Sequence, residues 1–219
     1  MLKLPNSKKS FGLVELIVAL AIVVVILTLS TVGINSLRDS FQLNSGTQEL
    51  FNAISLARVY AENNVTYKDP LTNQIKVPDA YMIEIGDFTT TPGNIAEIEG
   101  VINNVQIKYC NLNPLKKDFE GQTVDGINLK CEIYQNNGIE NDLTGVEIIK
   151  EEFTDNDKTI YEPCSYILFT VQGNELYISS GPAEGLLKTS PCVVTLKAVN
   201  SSVKNKIAVN PINRTIKKL

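Results

Sequence analysis

The chain has 219 residues, 43% of them hydrophobic and 20% charged, with a formal net charge of −4 and no histidine. That length and composition suit one membrane span plus one folded domain and exclude a disordered or low-complexity chain. Without histidine, Ser–His–Asp triads and imidazole metal sites are excluded as well.

Residues 1–10 form a short polar head with Lys3, Lys8 and Lys9, in which Pro5 disfavours helix. Residues 16–37 follow, a run of 22 without one Asp, Glu, Lys or Arg. As a helix rising 1.5 Å per residue, the run covers about 33 Å, enough to cross a bilayer core. Glu15 stands at its edge. A carboxylate at membrane depth costs about 2.5–3.5 kcal/mol and calls for a partner or a task. The lysines on one side, against Arg38 and Asp39 on the other, keep the head cytoplasmic and send the C-terminal bulk outward. A cleaved secretory signal fits poorly, because the apolar run is too long and Thr31-Val32-Gly33 only approximates a small-residue cleavage site. A plain single-span anchor, with Glu15 snorkelling to the interface, is the bland alternative.

The helical pattern continues through Leu37, Phe41, Leu50, Ile54, Ala57 and Ala61, the last four on one face, and Asn63-Asn64 stop it. Gly33 and Gly46 are weak points, each costing about 1 kcal/mol relative to Ala; they are either tolerated or places where the helix can stretch. Beyond Val65, β-rich runs alternate with turn residues. The expected strands are 80–85, 104–109, 127–134, 145–150, 165–171, 175–179, 192–199 and 206–209. Gln172-Gly173-Asn174 reads as a hairpin link, and 89–94 and 135–142 read as loops. The fold class is α+β: a long N-terminal helix packed on a mainly antiparallel β-sheet domain.

Cys110, Cys131, Cys164 and Cys192 all lie in the exported part, without a C-x-x-C pair, so disulfides are a better reading than a zinc ribbon. Three pairings are open; Cys110–Cys131 with Cys164–Cys192 closes the shorter loops. Asp155-Asn156-Asp157 is a weak calcium loop, because its sixth position is Ile160 and its twelfth Tyr166. It reads as a turn. No phosphate-binding glycine loop or reactive cysteine spacing is present, and neither an enzymatic activity nor a cofactor is expected. All 24 acids lie at or before Glu184, whereas Lys188, Lys197, Lys204, Lys206, Arg214, Lys217 and Lys218 follow it. Such a basic end can bind phosphate backbones, or it can neutralise acidic strands beside it.

The segment Lys8-Lys9-Ser10-Phe11-Gly12-Leu13-Val14-Glu15-Leu16-Ile17 resembles the class III signal of type IV prepilins and pseudopilins. Counted from Phe11, Glu15 is the fifth mature residue, as in that family; Ser10 departs from the Gly usual before the cut. The stretch 49–61, with Leu56-Ala57-Arg58, and the stretch 204–218 are similar to the corresponding helix and closing strands of H-type (general secretion pathway protein H-like) pseudopilins and minor pilins, although Asn213 stands where members often have Gly. Val32 stands where many major pilins carry Pro, which leans toward a minor subunit. The resemblance implies a leader at 1–10, a long helix at 11–63 (membrane-spanning at about 16–37) and an exported β-rich domain at 64–219. It implies cleavage between Ser10 and Phe11 by a prepilin peptidase, N-methylation of Phe11, and assembly through Glu15. The subunit would first sit in the bacterial inner membrane, pass to the filament assembly platform and join other pilin or pseudopilin subunits in a periplasmic or extracellular filament, of either a type IV pilus or a type II secretion system. The alternative is a filament-tip module capturing DNA or a surface through Lys204, Lys206, Arg214, Lys217 and Lys218.

Overall fold

The structure is a computed structural model that describes residues 12–69, 72–86, 104–116, 118–124, 126–134, 141–143, 145–156, 158–181, 184–199 and 201–219, excepting the side chains of 28–33, 104, 133, 141 and 142. One helix, α1 (Leu13–Glu62), opens the chain and runs through Gly33 and Gly46 without a break. The chain divides into two compact units, Met1–Arg38 and Asp39–Leu219. In the first, every described side chain from Leu13 to Leu27 is exposed. Among the described residues no helix is long and apolar enough to cross a membrane; the uncharged run at 16–37 includes residues 28–33, whose side chains lie outside the described set.

In the second unit α1 buries Leu43, Thr47, Leu50, Ala53, Ile54, Ala57 and Ala61. These positions recur every three or four residues and form one face of a 3.6-residue helix. Phe41, an earlier residue of the helical pattern, is 72% exposed. It lies nine residues before Leu50, two and a half turns, and so points the opposite way. Leu37 is also exposed. The helix ends where Asn64 takes a left-handed conformation (φ 50°). Val65 N–H then donates to Tyr60 O at 3.0 Å and Asn64 N–H to Ala61 O at 3.3 Å, which satisfies carbonyls that the last turn leaves open.

Fourteen strands follow among the described residues: β1 (Tyr67–Lys68), β2 (Ile75–Lys76), β3 (Ala80–Ile85), β4 (Asn104–Leu112), β5 (Leu129–Ile133), β6 (Asn141–Asp142), β7 (Val146–Ile149), β8 (Phe153–Thr154), β9 (Ile160–Pro163), β10 (Tyr166–Thr170), β11 (Leu176–Ser179), β12 (Cys192–Ala198), β13 (Lys204–Asn210) and β14 (Thr215–Lys218). β1 and β2 pair with each other. The first large sheet has the order β11-β10-β3-β4-β5, with β6 also on β4; the second has β14-β13-β12-β9-β8, with β7 also on β12. All described pairs are antiparallel except β9 with β12.

The main core joins the buried face of α1 to one face of each sheet: Tyr81, Ile83, Ile107, Ile167 and Phe169 from the first, Val194, Leu196, Ile207 and Val209 from the second. The other face of the first sheet is covered too. Ala80, Met82, Tyr166, Leu168 and Tyr177 pack under Phe119, Val124 and Leu186. With both faces buried, β3 reads Ala-Tyr-Met-Ile-Glu-Ile, nearly unbroken in apolar residues, where a half-exposed strand would alternate.

Each of the eight expected β-rich runs overlaps a strand, and the runs at 104–109 and 206–209 lie inside the longer β4 and β13. Within the stretch read as a loop at 135–142, Asn141–Asp142 pairs with Asn104–Val105; two residues are too few for alternation to reveal them. The loop expected at 89–94 lies outside the described residues. At the Gln172-Gly173-Asn174 link between β10 and β11, Gly173 and Asn174 adopt φ 100° and φ 52°, conformations that favour Gly and Asn.

Candidate functional site

Ser10 and Phe11 lie outside the described residues. Two residues on, Gly12 precedes the first turn of α1, and its N–H donates to Glu15 Oε2 at 3.1 Å. Gly12 O in turn accepts the first helical bond, from Leu16 N–H at 3.2 Å. Glu15 thus reaches back from the third helical position to the cap, one half of a capping box, and its charge faces the positive end of the helix dipole. Its side chain is exposed among exposed apolar neighbours, Leu13, Val14, Leu16 and Ile17.

The cysteines meet in two pairs at disulfide distance. Cys110 in β4 stands directly opposite Cys131 in β5, with Cα atoms 4.1 Å apart. Cys164, between β9 and β10, joins Cys192 at the start of β12, with a Cα separation of 5.3 Å. The second pair therefore sits where the chain leaves the second sheet for the first.

The five basic candidates near the C-terminus do not converge. Lys204 Nζ pairs with Glu151 Oε2 at 2.6 Å, which pulls the Glu151 carboxyl below its usual range. Lys206 Nζ lies 4.2 Å above the Phe153 ring. Lys218 donates to Gln48 Oε1 on α1 and sits 5.0 Å above the Phe51 ring. Only Arg214, in the turn after β13 with φ 55°, and Lys217 in β14 are exposed without a partner among the described residues. Asp155 closes the β8–β9 turn by accepting Thr159 N–H at 2.9 Å and the Tyr161 hydroxyl at 3.2 Å. Among the described residues no group of carboxylates and cysteines is placed to hold a metal ion.

Two polar clusters went unread in the sequence. Glu84, buried at the end of β3, pairs with Lys108 Nζ of β4 at 2.8 Å and accepts the Tyr166 hydroxyl at 3.4 Å. On the same face of the first sheet, the Tyr177 hydroxyl reaches Glu175 Oε2 at 2.7 Å and Asp118 Oδ1 at 2.9 Å, and Lys188 pairs with Glu175. Burial, then these carboxylates, push the Tyr177 phenol up. The Lys188 ammonium, then the Tyr177 hydroxyl, holds Glu175 below its ordinary value; the Glu120 N–H, then Tyr177, does the same for Asp118. Neither cluster has a reactive nucleophile beside a base; both hold strands and loops together. Lys108 within the alternating run at 105–109 was a signal for the first, whereas nothing local pointed to the second.

No curated protein and no solved structure matches the chain. Residues 5–31 match the family model described as the prokaryotic N-terminal methylation motif, spanning Ser10, Phe11, Glu15 and the start of α1. The chain carries at its N-terminus the methylation motif of type IV prepilin-like proteins.

Proposed function

We propose that the protein is a structural filament subunit, a minor pilin or pseudopilin made as a membrane-anchored precursor. The observation that carries this reading is the methylation motif at residues 5–31, continuous with a helix whose first part exposes its apolar side chains all round and whose second part is built into the β domain. A helix apolar on every side suits a bilayer before assembly and a bundle of like helices after it. The uncharged run at 16–37 is the anchor. It places the β domain, with its paired cysteines, in an oxidising compartment outside the inner membrane.

Cleavage between Ser10 and Phe11 would create an amine four residues before Glu15, and methylation would keep its charge. Among the described residues Glu15 has a single hydrogen-bond partner, the backbone N–H of Gly12. In an apolar helix bundle, the Phe11 amine of a neighbouring subunit is a stronger partner, because pairing offsets two desolvation costs. That pairing would fix the axial register of helices that otherwise slide past one another. H-type kinship and a place in either a pilus or a secretion pseudopilus are refinements of the same reading. Capture of DNA through the basic end is less favoured, since Lys204, Lys206 and Lys218 are already engaged within the chain.

Glu15→Ala tests the role of the carboxylate. The variant should insert into membranes as the native chain does, yet its yield in sheared filaments should fall at least about tenfold, the effect of 1.4 kcal/mol on an equilibrium. Equal recovery of variant and native protein would refute that role.

A further inference from the structure

The two outer edges of the second sheet carry opposite charge. At one edge, β14 and the turn before it present Arg214 and Lys217, exposed and without a partner among the described residues, beside Ile212, which is 69% exposed. At the other, the β8–β9 hairpin and its lead-in present Glu152 and Glu162, exposed and likewise unpartnered, beside Ile160, which is 60% exposed. The sequence has five acids and one lysine from Glu151 to Glu162, and five cations and no acid from Lys204 to the last residue. The hairpin also takes lysines from its own chain, Lys204 on Glu151 and Lys206 on Phe153. Those contacts leave Glu152 and Glu162 facing solvent.

We propose that the β14 edge of one subunit docks on the β8–β9 edge of a second copy of this chain, Arg214 and Lys217 against Glu152 and Glu162, with Ile212 and Ile160 alongside. Because the two patches differ, the contact is heterologous and does not close on itself, so it can propagate along an open assembly. Exposed ion pairs are individually weak; the contact therefore selects partner and orientation and does not by itself hold copies together. Tethering through the N-terminal helices, which rests on the filament reading, supplies the local concentration that makes weak pairs effective. Lysines on an edge strand also discourage strand-to-strand aggregation, a role that needs no acidic partner and is separated from docking by the test below.

Carbodiimide joins a lysine directly to a carboxylate in contact with it. Within one chain β14 and β9 are three strand spacings apart, about 14 Å, a gap that a lysine and a glutamate can nearly bridge. The reaction is therefore run on a mixture of light and 15N-labelled chains, in which only a joint between two copies gives mixed-isotope peptide pairs. In the full chain within native membranes or sheared filaments, mass spectrometry of the cross-linked peptides should find Lys217 joined to Glu152 or Glu162 in mixed-isotope pairs. The yield should fall at least about fivefold in 1 M salt, where the Debye length is about 3 Å. It should fall similarly when Arg214→Glu is made alone, since that change leaves both cross-linking groups in place. Adding Glu152→Lys to Arg214→Glu should restore it. A filament that forms without this cross-link overturns the proposal and spares the filament reading. The cross-link in a chain that never enters filaments upholds the contact and sinks the filament reading instead.

Discussion

Gly46 shows how one missing side chain sets the packing of α1. A Cβ there would lie 3.0 Å from Val146 Cγ2, and one at Gly145, where φ is 78°, would lie 2.7 Å from Gln42 Cδ. The glycine that reads as a weak point in the helix thus lets α1 approach the start of β7 closely. Gly46→Leu should destabilise the protein by about 2–3 kcal/mol, since overpacking outweighs the gain in helix propensity; thermal unfolding of the detergent-solubilised full chain reads it. Unchanged stability would mean that Val146 yields freely. The carboxylates around Tyr177 give a second expectation. Asp118 and Glu175 titrate below their ordinary values in the folded protein, so the unfolded chain binds more protons as pH falls through about 4. Their contribution is complete above that range and is lost below it, as the folded-state values are crossed. Asp118→Asn with Glu175→Gln should flatten the acid limb of stability below about pH 4 and leave its slope near pH 7 unchanged. An acid limb identical to that of the native chain would remove the network from the account of stability.

At the scale of elements, the two cysteine pairs act on different parts of the fold. Cys110 and Cys131 staple neighbouring strands, whereas Cys164 and Cys192 fasten the passage from one sheet to the other. Their sequence separations, 21 and 28, are close enough that loop-closure entropy assigns each about 3 kcal/mol, differing by a few tenths. Replacing either pair by serine should therefore lower stability to a similar degree, measured by denaturant unfolding. A much larger loss for Cys164→Ser with Cys192→Ser would show that the passage between sheets carries native-state energy beyond the entropic term. The long elements were legible in the sequence because pattern and length agree: the run at 80–85 coincides with β3, and 192–199 contains β12. Two-residue strands such as β6 and β8 carry no period to read. The exposure of Phe41 was not legible, because apolar character says nothing about helical phase until the buried face has been fixed by Leu43 and Leu50. Glu15 stood out because its setting is local, one acid beside an uncharged run. The partner of Lys204 did not, since Glu151 lies 53 residues away and only tertiary packing brings them together.

For the whole molecule, the central claim is that a precursor becomes a filament subunit by losing residues 1–10. On the proposed reading, the motif at 5–31, the exposed apolar first part of α1 and the buried second part would suit two environments, lipid or like helices for the N-terminal unit and water for the β domain. The complementary edges of the second sheet would then orient subunits that the helices already hold together. Intact mass of the protein from its native membranes and filaments, before and after reduction, tests the claim most directly. The expected mass is that of a chain beginning at Phe11 and carrying one methyl group, which gains four hydrogens when both cysteine pairs are reduced. A mass that still includes residues 1–10 in assembled material would contradict it.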